Sequence, residues 1–203
     1  MAVRNFAITL AVLAVSCAAP AAADGFVASW AASAHGPYPV GNPTAQPELR
    51  FAFPSPERGA RDQSFRMIVR PDIWGREARI RLSNAFGTRP VTFDGAFVGL
   101  QESGSAIVPG TNTAATFGGN TSVVVPAGGS AVSDPVRLGF VGSPEDPLLK
   151  GRKLAVSFHV AGESGPMTWH AKALTSSYVS APDAAPLGGD EGEGAFPFST
   201  TSW

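Results

Sequence analysis

Between Glu77 and Gln101 the chain alternates apolar and polar residues twice, on either side of a turn-rich break, and no other stretch constrains the fold as tightly. Ala78, Ile80 and Leu82 fall on one side of an extended segment and Arg79, Arg81 and Ser83 on the other, the period of two that a half-buried strand requires. Val91 and Phe93 resume the pattern. The break from Ser83 to Pro90 contains Asn84 and Gly87, which tolerate positive φ, and Pro90, which has no N–H for a ladder. The segment reads as a surface-turned β-hairpin. Gly95, inside the second run, predicts a bulge and a bend.

The same reasoning extends along the chain. Gln63 to Arg70 puts Phe65, Met67 and Val69 on one face and Arg66 and Arg70 on the other, and is expected to pair with the strand at Ala78. Leu154, Val156, Phe158 and Val160 alternate with Lys153, Ala155, Ser157 and His159, which predicts a central strand. Shorter strands are expected near Phe26 to Trp30, Leu49 to Phe53, Thr121 to Val125, Asp134 to Phe140, Met167 to Ala173 and Thr175 to Val179. The Pro-rich stretch from Ala34 to Pro47 is expected to be irregular and anchored by Tyr38. Ser180 to Ala195 has almost no large apolar residue and reads as a flexible surface segment.

Composition narrows the class. Gly 23 and Pro 18 among 203 residues are spread without a period, which suits many short strands joined by turns. Hydrophobic residues at 44% supply a core, and a net charge of -1 gives no electrostatic footprint for nucleic acid. The expected fold is all-β: a single β-sandwich with long Pro- and Gly-rich loops, the jelly roll being one candidate topology.

Residues 1–23 have the layout of an export signal. Arg4 and the amino terminus supply positive charge, Phe6 to Val15 is apolar, and Ala21-Ala22-Ala23 fits a small-residue cleavage site. The mature domain then runs from Asp24 to Trp203, secreted or periplasmic. The apolar run is too short for a spanning helix. Cys17, the only cysteine, lies inside the signal, so no disulfide is expected in the mature chain. Ala14-Val15-Ser16-Cys17 loosely matches a lipobox, and lipidation at Cys17 is the alternative that would attach the protein to a membrane.

Residues able to carry chemistry are scattered. Ser29, Ser83 and Ser164 and the histidines His35, His159 and His170 form no recognisable nucleophile and base motif. His159 and His170 with Asp190, Glu191 and Glu193 have no spacing of a closed metal site. Trp30, Trp74, Trp169 and Trp203 raise sugar stacking against the plainer role of core or joint filling. Trp74, Arg70, Trp169 and His170 are the candidate ligand-binding residues. Arg66, Arg70, Arg79 and Arg81 are expected to share one basic face.

The run from Arg70 to Phe93, with Arg81-Leu82-Ser83-Asn84-Ala85-Phe86-Gly87 at its centre, resembles the N-terminal region of secreted bacterial SGNH hydrolases, the GDSL-like esterases and acylhydrolases. Val27 to Ala34, Leu154 to Ala173 and Ser199 to Trp203 fit the same pattern. The resemblance covers nearly the whole mature chain. It implies a β-rich accessory region ahead of a hydrolase domain that cleaves carboxylic esters without a metal or organic cofactor. None of the family's catalytic blocks occurs here: no Gly-Asp-Ser, no Gly-x-Asn-Asp, no Asp-x-x-His. The reading is a non-catalytic accessory domain ending before the hydrolase domain, which would be its partner. A free-standing polysaccharide-binding module and a small serine esterase with an unrecognised site are the alternatives.

Overall fold

The computed structural model describes residues 25–40, 47–184, 186–187 and 193–202. The export signal, Cys17, Asp190, Glu191 and Trp203 lie outside them. Among the described residues the chain forms thirteen strands and three short 3-10 turns. The first seven strands are β1 (His35–Tyr38), β2 (Arg61–Val69), β3 (Glu77–Ala78), β4 (Arg81–Ser83), β5 (Val91–Leu100), β6 (Thr113–Ala114) and β7 (Ser122–Val125). After them come β8 (Ser130–Val132), β9 (Val136–Arg137), β10 (Leu154–Glu163), β11 (Met167–Trp169), β12 (Ser177–Val179) and β13 (Phe198–Thr200). The protein is all-β, with packed open sheets of the sandwich kind.

A seven-stranded antiparallel sheet in the order β13-β12-β2-β10-β5-β6, with β7 also paired to β5, carries the core. Strand β10 is central, as its alternation predicts. Its apolar row continues across the sheet through the register pairs Phe158↔Phe65, Val156↔Met67 and Val156↔Val98. Three two-stranded ribbons, β1 with β11, β3 with β9 and β4 with β8, complete the architecture. Side chains from the ribbons and loops, among them Tyr38, Phe53, Leu82 and Val136, join the sheet's apolar face in one buried cluster.

Gly95 makes the predicted bulge. Ser157 pairs with Phe97 and His159 with Asp94, so two steps along β10 span three along β5, and Gly95 absorbs the extra residue at φ +57. The bulge reverses the inside-outside phase of β5. Phe93 before it and Ala96 and Val98 after it all join the same core.

Several pairings differ from expectation because alternation reveals which residues share a face and not which strand lies alongside. No hairpin joins the Ala78–Leu82 run to Val91. Instead β3 and β4 pair with β9 and β8, while β5 lies in the main sheet between β10, β6 and β7. The connection from Ser83 to Val91 is thus a crossover between sheets. Strand β2 pairs with β10 and β12 and not with Ala78. Residues 27–30 form no strand, and Leu49 to Phe53 is a turn whose Ala52 and Phe53 N–H groups both donate to the Leu49 carbonyl. His35–Tyr38, expected to be irregular, is a strand on β11. Tyr38 is an anchor: its buried hydroxyl accepts from the Leu49 N–H at 3.2 Å.

The expected basic face does not form. Arg79 and Arg81 are exposed in the ribbon strands and their junction, but Arg66 is 0% exposed on the second face of the main sheet. Its guanidinium donates to the Ser157 hydroxyl at 2.9 Å and the Ser105 carbonyl at 2.6 Å, and lies 4.4 Å from the Phe196 ring centre. That face is therefore roofed by the loop holding Ser105 and Ile107 and by Phe196, so the charge is desolvated and hydrogen-bonded within the protein, apart from the other three arginines. Ser180, expected to begin a flexible segment, is buried. It accepts the Ser64 N–H on its hydroxyl and returns its own N–H to the Ser64 carbonyl.

Candidate functional site

Three of the four blocks that carry the resemblance, residues 27–34, 70–93 and 154–173, meet at one corner of the molecule. Residues 25–34 run as an extended arm fixed at Ser29, whose hydroxyl donates to the Ile73 carbonyl at 2.5 Å and accepts the Ile73 N–H at 3.1 Å. The Asp72 N–H donates to the Ser29 carbonyl. Further along, the Ser33 carbonyl accepts from His170 Nδ1 at 2.8 Å, and the His35 ring lies 5.5 Å from Trp169 and 6.0 Å from His170. The Phe86 N–H donates to the Thr168 hydroxyl at 2.9 Å. Arm, Asp72-Ile73 turn, Phe86 turn and β11 are thereby tied together.

Within this corner Asn84 holds the backbone. Its side-chain amide donates toward the carbonyls of Arg89, Val125 and Pro126 at 2.9, 3.1 and 3.2 Å, and its main-chain N–H donates to Gly129. The Ser-Asn-x-Phe-Gly turn is therefore a cross-link between two loops. The turn-forming residues around Asn84 mark the segment, but nothing in spacing alone assigns a task to its side chain.

The corner also gathers exposed apolar side chains. Phe26, Val27, Trp30, Ile73 and Phe86 are all exposed, Trp30 by 48%, and all lie on the arm or on segments it touches. Arg79 covers one side of the Phe26 ring at 4.8 Å.

The four candidate ligand-binding residues do not share one surface platform. Trp169 is 5% exposed, with its indole Nε1 buried and without an acceptor. Trp74 is half-buried and meets Phe140 edge-on at 6.4 Å. Arg70 is exposed at the end of β2, and His170 is tied to Ser33.

Catalytic geometry is equally specific in what it brings together. His159 is 4% exposed, and its Nδ1 lies 2.6 Å from Asp94 Oδ1, while its Nε2 is buried without a hydrogen-bond partner. A carboxylate holding an imidazole in this way also occurs in serine-hydrolase triads, but among the described residues no serine hydroxyl bonds to a histidine. Ser164 is committed to the Ala60 N–H and the Gly165 carbonyl. No three metal-ligating side chains are grouped among the described residues. Neither a protein-family model nor a curated protein matches the chain.

Proposed function

We propose that this protein is a non-catalytic β-sandwich accessory domain of a secreted SGNH-type ester hydrolase, which packs on and supports the hydrolase domain. The observation that carries this reading is the apolar corner at Phe26, Val27, Trp30, Ile73 and Phe86. An exposed apolar corner of this kind is a usual mark of a protein interface. It coincides with the segments through which the chain resembles the N-terminal region of the family.

The test is hydrolysis of short-chain aryl esters by the mature chain from Asp24, with circular dichroism on the same sample. The expected result is a folded, inactive protein whose binding of an apolar dye falls when Val27, Trp30 and Ile73 are changed together to Ser. Activity that survives repurification and vanishes on mutation of one serine overturns the reading.

A further inference from the structure

Met67 and Phe158 lie at the centre of the main sheet, on its core face, yet both are only half-buried. Val156, the register partner of Met67, is half-buried as well, while Phe65, Phe93, Val98 and Val160 around them are buried. The reason is a cleft of ≈ 110 Å³ above them, floored by Phe65, Met67, Phe93, Phe158 and Val160 and walled by Met167. The floor is aromatic and rigid: the Phe158 ring stacks on Phe65 at 5.4 Å and meets Phe93 edge-on at 5.5 Å.

Ser83, Asn84, Ser164 and Thr168 also line the cleft, and no charged residue does. An ionised ligand would lose its hydration there without a compensating partner. The Asn84 amide and the Ser164 hydroxyl are spent within the protein. Ser83 and Thr168 differ. Their hydroxyl oxygens accept the successive N–H groups of Ala85 at 3.3 Å and Phe86 at 2.9 Å, and neither hydroxyl proton is committed to an acceptor among the described residues. Two hydroxyl donors are thus held in place by one turn. A narrow chain can lie along the apolar floor over Phe158 and Val160, and the cleft opens to solvent at its rim.

We propose that this cleft is a binding site for a neutral, short-chain aliphatic compound carrying an acceptor oxygen, the chain lying on Phe158 and the oxygen accepting from Ser83 and Thr168. This site borders the exposed corner, with which it shares the Phe86 turn and β11, but it does not depend on the hydrolase reading, because the ligand binds this chain by itself.

The experiment is an NMR titration of the mature protein with the 2-alkanones from butanone to octanone, which no esterase can cleave. The expected result is perturbation of the Phe158, Val160 and Met167 amides, with affinity rising about fourfold per added methylene until the cleft is full. Val160→Phe fills the floor and is expected to abolish binding; if that variant does not fold, Met167→Phe at the half-exposed wall is expected to do the same. Thr168→Val is expected to weaken binding about fivefold. Absence of binding, an affinity independent of chain length, or a folded filling variant that binds as the parent does overturns the proposal. So does hexanoate anion binding as tightly as 2-hexanone.

Discussion

Asp94 and His159 face each other across the β5–β10 ladder next to the Gly95 bulge, with the carboxylate 2.6 Å from Nδ1 and the opposite imidazole nitrogen enclosed and unpartnered. A buried imidazole with one satisfied nitrogen depends on that single bond. Asp94→Ala leaves both nitrogens without a partner and is expected to cost about 2–3 kcal/mol. His159→Asn keeps a donor where Nδ1 sits and removes the orphan nitrogen, so it is expected to cost less. Urea unfolding of both variants checks the order, and an Asp94→Ala protein as stable as the parent would sink this account.

Asn84 holds three carbonyl oxygens with one amide group. Asn84→Asp replaces the donor with a carboxylate facing those oxygens, and a destabilisation of about 3–5 kcal/mol is expected. The measurement is the urea midpoint at neutral pH. Partial recovery below the pH at which the new carboxylate protonates would identify charge repulsion as the cause.

Gly59 sits at φ +70 where a Cβ would lie 1.9 Å from the Gly165 carbonyl oxygen and 2.2 Å from the Ser164 hydroxyl. Gly110, at φ +76, has open space around the same position. Gly110→Ala therefore carries only the left-handed backbone penalty of about 1–2 kcal/mol, whereas Gly59→Ala must also displace a backbone. The expected difference is at least about 2 kcal/mol, read from paired melting curves. Equal effects would mean that the approach of residues 59 and 165 is looser than described.

Asp134 accepts from the Gly119 and Gly118 N–H groups and the Thr116 hydroxyl, and these bonds, led by that from Gly119, hold its carboxyl below the ordinary value of 3.8. A depressed folded pKa means stability that is fully present above 3.8 and lost as pH falls through the lower folded value. Glu163 behaves alike, lowered chiefly by its bond to Arg58. Acid unfolding below about pH 4 is expected to be shallower in Asp134→Asn than in the parent. An unchanged acid limb would assign that loss to other carboxylates.

How much of this was legible in the sequence depended on range. The Lys153 to Val160 strand and the Gly95 bulge could be read directly, because both are local consequences of side-chain period and of one residue's φ. Partners could not be read. Ser83 to Val91 looked like a hairpin loop because its turn residues are real, but the chain uses them to change sheets. Alternation with Phe65 and Met67 assigns Arg66 to a basic face with Arg70, and the residues that roof it are 39 or more positions away. Tryptophans were singled out by type, yet Trp169 is buried by the strand pairing of His35, a residue that a Pro-rich context had marked as irregular. The arm and the Phe86 turn were visible as blocks, and their meeting was not.

Strand β10 also fixes the order in which this molecule can be completed. Strands β2 and β5 both require it as their neighbour and are not paired with each other. Neither can close its principal ladder until residues 154–163 have been made. A nascent chain that ends just before β10 thus holds β2 and the β5-β6-β7 portion of the sheet with the seam between them unfilled, and joins the two in one late step.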